Sequence, residues 1–199
     1  MNEHPILFSG PMVRAILHRR KTQTRRVIKP QPTDEKRTNS YYRFDWKGRI
    51  WTHLSDPICP YGNPGDLLWV RETWMPNPGD EVAPDHDIHP YIYRADEAHY
   101  GPQIKWKSPI YMPRWVSRLT LRITNVRVER VQEMNFYDWV ADFAPTFMQQ
   151  ERARQSFVGM QNMVEMATEL WDSINAKRAP WESNPWVWVL TFEPVGQDE

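Results

Sequence analysis

The chain has 199 residues, 40% of them hydrophobic, and its 25 basic and 25 acidic side chains give a formal net charge of zero. That length suits one domain with a real core over residues 1–199, and the charge balance excludes a histone-like or polybasic protein. Cys59 is the only cysteine, which excludes a disulfide framework. No apolar run approaches membrane-spanning length and no charged-then-apolar leader opens the sequence, so the expected setting is cytoplasmic, with no membrane partner.

The charge is unevenly placed. Residues 1–131 carry 21 basic and 14 acidic side chains, and residues 132–199 carry 4 and 11, so +7 is followed by −7. Such a chain can present a basic surface to phosphate, or its two halves can neutralise each other across the fold. The 11 tryptophans serve either a core or the stacking of flat ligands.

Ser9-Gly10-Pro11 reads as a helix start, with Val13, Ile16 and Leu17 at helical spacing and an end near Arg20. Lys21 to Ile28 changes to strand composition. Twelve of the 18 prolines fall between residues 30 and 113, with short strand candidates at Arg49–Leu54, Asp66–Trp74 and Tyr91–Ala95, as expected of excursions from a barrel. Leu119, Leu121 and Ile123 alternate with polar residues, and the phase flips at Asn125 to Val126 and Val128, which predicts a bulge. Asn135 with Asp138 predicts a capped short helix through Phe143. Met163, Ala167, Leu170, Trp171 and Ile174 predict a second helix. Trp186–Phe192 is apolar at nearly every position, which predicts a central strand covered on both faces. This order argues for an α+β fold rather than alternating βαβ units.

Arg14, Arg19, Arg20, Lys21, Arg25, Arg26 and Lys29 lie in a window with no acidic residue between Glu3 and Asp34. Clustered guanidinium forks suit phosphate oxygens; a solvated face paired with the acidic C-terminal third is the alternative. Lys21 and Thr24 have the chemistry of a base and a nucleophile, although an odd separation puts them on opposite faces of a regular strand. By the same rule, one of Arg71 and Glu72 faces inward and wants a partner. Asp85-His86-Asp87-Ile88-His89 has loose spacing and flanking prolines, and reads as a polar loop rather than a metal site. Cys59 reads as packing.

Four segments carry a resemblance to a known family: Pro5–Ile28, Cys59–Trp74 with its Pro64-Gly65-Asp66 turn, Arg114–Asp142, and Leu170–Phe192. In that order, the helix, the Lys21-Thr22-Gln23-Thr24-Arg25-Arg26 step and the turn resemble the ASCH family, in particular the long members carried by tailed phages and prophages. The resemblance implies a PUA-like mixed β-barrel with a few flanking helices and long Pro-rich insertions at about 30–60 and 75–113. It also implies a cleft beside the first helix for RNA or a modified nucleoside, with DNA left open.

Small bacterial members are N(4)-acetylcytidine amidohydrolases. Their catalytic Lys and Thr fall on Lys21 and Thr24, and their Glu is best matched by Asp142, one methylene shorter and followed by Phe143. Phosphate would meet Arg14, Arg20, Arg25 and Arg26, and a base would stack near Trp69 and Trp74, with Glu72 in the same binding set. No metal and no cofactor is expected. A non-catalytic nucleic-acid reader, a ribonuclease, and a phage accessory protein that binds a host protein through its acidic third remain as alternatives.

Overall fold

The computed structural model describes residues 1–31, 43–44, 50–51, 59–77, 90–96, 105–143 and 159–196. In chain order the elements are β1 (Glu3–Leu7), α1 (Gly10–Leu17), β2 (Gln23–Val27), β3 (Arg43–Phe44), β4 (Ile50–Trp51), β5 (Leu67–Arg71), β6 (Trp74–Pro76), β7 (Tyr91–Tyr93), β8 (Thr120–Arg130), α2 (Phe136–Asp142), α3 (Gly159–Asn175) and β9 (Trp186–Pro194). The Asp85–His89 segment lies outside the described residues. No described helix is long and apolar enough to cross a membrane.

The alternation of Leu121 and Ile123 with Arg122 and Thr124 makes β8 a strand with one buried face. Its pairing with β9 shifts register between Ile123 and Asn125. This bulge lets Val128 re-enter the core after the change of phase. β9 lies between β8 and β2 in a five-stranded sheet of order β1-β5-β8-β9-β2. β1 runs parallel to β5, and the other neighbours are antiparallel. Trp188, Leu190 and Phe192 of β9 enter one core with Ile6, Phe8, Ile16 and Leu121. Val187 and Val189 enter a second core with Trp171 and Trp181. Both faces of β9 are therefore covered, which is why it lacks the usual polar alternation.

The architecture is thus mixed α+β. The mixed β-barrel implied by the resemblance is not closed by the ladder: among the described residues the sheet is open, with β1 and β2 at its edges. The edges still approach each other, because Arg26 Nη2 on β2 donates to the Leu7 carbonyl at the end of β1 at 2.6 Å. A side chain makes that link instead of a backbone pair.

α1 connects the two edges and buries Val13, Ala15 and Ile16. It stops at Leu17. Arg19 then turns left-handed (φ 54°), and the backbone N–H groups of Arg20 and Lys21 both donate to the Ala15 carbonyl. This tight exit delivers Lys21 to the head of β2. α2 begins where Asn135 accepts a hydrogen bond from the Asp138 N–H at 3.0 Å, a short-polar cap of the expected kind. Its end is held against β2 by the Thr22 N–H donating to the Ala141 carbonyl.

Candidate functional site

β2 pairs with β9 along one side only, so its other edge is free in the described sheet. A cleft of about 930 Å³ runs along that edge, and the consecutive residues Thr24 to Lys29 all line it. An edge explains how neighbours from opposite faces of one strand reach the same space. The far wall is the C-terminal part of α3 and the turn after it, including Trp171, Asp172, Asn175, Lys177 and Arg178, while Tyr61, Asp142 and Phe143 complete the lining.

The register divides the β2 side chains between two environments. Thr24 and Arg26 lie opposite Leu190 and Trp188, on the face of the first core. Gln23 and Arg25 lie opposite Thr191 and Val189, on the face covered by α2. Lys21, in phase with Gln23 and Arg25, is 1% exposed. Its Nζ donates to the Asp142 backbone carbonyl at 2.6 Å and to the Asp142 Oδ1. Burial drives the Lys21 ammonium below the ordinary lysine range; the Asp142 charge and hydrogen bond oppose that shift, and the nearby Arg26 and Arg25 charges add to it.

The site therefore joins Lys21 to Asp142 directly, and Thr24 shares the cleft with Asp142. Lys21 does not itself line the cleft and connects to it through Asp142. The shorter Asp side chain reaches the lysine because the last turn of α2 docks on the start of β2.

Arg25, expected on phosphate, is enclosed instead. Its guanidinium donates to Glu129 Oε1 from Nε (3.0 Å) and Nη2 (2.5 Å). From Nη1 it donates to Gln23 Oε1 (2.9 Å) and Asp142 Oδ2 (3.2 Å), and Nη2 lies 3.4 Å from Asp138 Oδ2. Arg127 extends the network to Glu129 and Asp138. With its fork held by carboxylates and the Gln23 amide oxygen, Arg25 positions Asp142. Burial alone would raise the Asp138 carboxyl; the hydrogen bond and charge of Arg127, then the Arg25 charge, carry it below the usual range.

Arg26 does face the cleft. Its Cζ sits 5.0 Å over the Phe8 ring, and its Nε is buried with no hydrogen-bond partner among the described residues. Burial lowers its ionisation from the usual arginine value, against the Tyr61 and Asp142 charges.

The other expected contacts lie elsewhere. Arg14 donates to the Ala95 carbonyl at 3.1 Å, and Arg20 is exposed beyond the end of α1. Neither lines the cleft. Glu72 is buried against the Arg118 fork (3.0 and 3.1 Å); burial raises its carboxyl more than Arg118 lowers it. It is the inward-facing member of the Arg71–Glu72 pair. Trp69 stacks under Arg71 at 4.9 Å, and Trp74 is buried edge-on to Tyr91 at 5.6 Å. No cleft-lining residue comes from β5 or β6.

Sequence reading missed Tyr61, Lys177 and Arg178. Tyr61 was legible only as part of a Pro-Tyr-Gly turn, and the two cations sit within the net acidic third. Cys59, at the same turn, is buried, which pushes its thiol up to about 12. No group of three or more metal-ligating side chains occurs among the described residues. A scan of protein-family models and searches of curated proteins and solved structures find no match to this chain.

Proposed function

We propose that the chain is an ASCH-type, PUA-like domain whose cleft binds a modified nucleoside or an RNA end and hydrolyses an amide on it. One observation carries this reading. A buried lysine–aspartate pair stands at a cleft that a threonine lines, at the three positions where the family resemblance puts base, acid and nucleophile.

In this mechanism Lys21, on the opposite face of β2 from Thr24, draws off the Thr24 hydroxyl proton through Asp142, which shares the cleft with Thr24, as Oγ1 attacks the amide carbonyl carbon. The proton passes through the Lys21–Asp142 hydrogen bond to the leaving nitrogen as the C–N bond breaks. Water then cleaves the acyl-threonine ester, releasing the acid and restoring the hydroxyl. Burial lowers the Lys21 ammonium below the ordinary lysine range, the direction this base role needs. The Arg26 Nε, buried and without a partner, offers a donor to a ligand acceptor. Lys177 and Arg178 provide positive charge across the cleft for phosphate, and Tyr61 provides a ring.

Chromatography of N(4)-acetylcytidine incubated with the protein tests the reading. Conversion to cytidine should require both Lys21 and Thr24. No conversion by the parent protein would remove the catalytic part of the proposal.

A second reading, a non-catalytic reader, is favoured by the same ion-pair network. Asp142 is fixed by Lys21 on one oxygen and Arg25 on the other, an arrangement that also suits a rigid wall. Binding of the nucleoside without turnover would select it.

A further inference from the structure

Residues 98–128 contain no acidic side chain and six basic ones, Lys105, Lys107, Arg114, Arg118, Arg122 and Arg127. Two short 3-10 turns interrupt this stretch, at Pro109–Tyr111 and Arg114–Val116. They turn Tyr111 and Trp115 outward, 76% and 77% exposed, beside Ile110 at 58%. Large rings left this open within five positions are unusual on a folded surface, where aromatic area is normally among the first to be covered.

The platform beneath them is firm. Met112 and Val116, each one position after an exposed ring, are fully buried in a small core with Trp74 and Tyr93. Their carbonyls accept hydrogen bonds from Arg71 Nε (3.1 Å) and Tyr93 Oη (2.7 Å). The rings therefore stand on backbone that is already ordered, and stacking on them incurs little further ordering cost.

Charge selects the partner. Arg114 is taken by Glu3, and Arg118 by Glu72 and Asp96. Lys105 and Lys107, shortly before Tyr111 in sequence, remain exposed, and Lys107 lies 5.0 Å over the ring of Trp74, a member of the small core that carries both rings. Outward rings with cations and no nearby acid in sequence match the stacking-plus-phosphate pattern of single-strand binders. A membrane surface would need a broader aliphatic face than Ile110 supplies.

We infer that Tyr111 and Trp115 form a stacking platform for single-stranded nucleic acid, with Lys105 and Lys107 on its phosphates. Neither ring lines the cleft beside Thr24, so the platform stands whether or not the cleft acts on a nucleoside. Stacking and phosphate charge do not read the 2′-hydroxyl, so RNA and DNA strands bind alike.

Fluorescence anisotropy of short labelled oligouridylate and oligothymidylate strands, titrated at low salt with the full chain, tests this. Both strands bind. Replacing both rings (Tyr111→Ala with Trp115→Ala) weakens binding by about tenfold or more, while Trp115→Phe keeps most of it. Lys105→Gln lowers the salt slope by about 0.7, one single-strand phosphate. The Trp115→Ala loss persists in an Arg26→Ala background, which separates platform from cleft. Absence of strand binding, equal binding of a duplex, or insensitivity to the ring substitutions overturns the proposal. So does self-association that Trp115→Ala abolishes without any strand binding. Because both rings are exposed, the thermal midpoint of the variants stays at the parent value, and misfolding cannot imitate the expected loss.

Discussion

Replacing Arg25 by Ala would remove the centre of the network that fixes Asp142. The guanidinium touches Glu129, Asp138 and Asp142, whose side chains are only 13%, 12% and 7% exposed. Removing one member of a buried ion pair costs about 3–5 kcal/mol, because the remaining charge is deprived of both its partner and its water. Two remaining interactions soften the effect here: Arg127 stays on Glu129 and Asp138, and Lys21 stays on Asp142. The expected cost is therefore at the low end, about 3 kcal/mol, which in a domain of this size lowers the thermal midpoint by roughly 6–12 °C. Urea unfolding followed by tryptophan fluorescence measures it. Arg25→Lys keeps the charge without the fork and recovers part of the stability. Arg127→Ala, at a side chain 32% exposed, costs less than Arg25→Ala. A cost below about 1 kcal/mol for Arg25→Ala, or a greater cost for Arg127→Ala, would refute the view of Arg25 as a buried positioning residue.

Three further outcomes are expected. For Lys21, whose ionisation lies below 10.5 in the folded chain, the unfolded state holds the proton more tightly, so stability rises with pH between the folded value and 10.5; Lys21→Met lacks this rise, and a parallel profile in the two proteins would contradict the assignment. For Glu72, raised above 4.5 by burial, the stabilising contribution is complete below 4.5 and is lost as pH rises; unfolding free energies should therefore shift in favour of Glu72→Gln as pH rises from acid to neutral, and the opposite slope would count against the burial argument. Triple replacement of Arg26, Lys177 and Arg178 by Ala should weaken RNA-end binding at the cleft and lower its salt slope by about 0.7 for each phosphate that is no longer neutralised; an unchanged slope would remove these residues from the phosphate path.

The parts of the fold legible in the sequence are those set by local pattern. Alternation fixed the outward and inward residues of β8, the phase change at Asn125 marked its bulge, and the unbroken apolar run marked β9 as a covered central strand. The Asn135 cap was readable for the same reason, since its partner lies three residues away. Arg25 was not legible. Its carboxylate partners Glu129 and Asp142 lie 104 and 117 positions downstream, and a run of cations in sequence does not reveal which member folds inward. The Trp69 and Trp74 expectation failed to reach the cleft on similar grounds: composition counts rings, but burial against Arg71 and Tyr91 is a tertiary matter. Sheet closure depends on whether β1 and β2 exchange backbone hydrogen bonds, and no period in either strand encodes that. The meeting of Lys21 with Asp142 is not legible in any spacing, because nothing local links a strand head to a helix end 121 residues away.

The most direct test of the account is a structure of Thr24→Ala with N(4)-acetylcytidine bound. The acetyl carbonyl is expected beside position 24, its amide nitrogen within hydrogen-bonding reach of Asp142, and the ribose turned toward Lys177 and Arg178. A nucleoside bound away from the β2 edge, or a cleft that takes up none at saturating concentration, would contradict it.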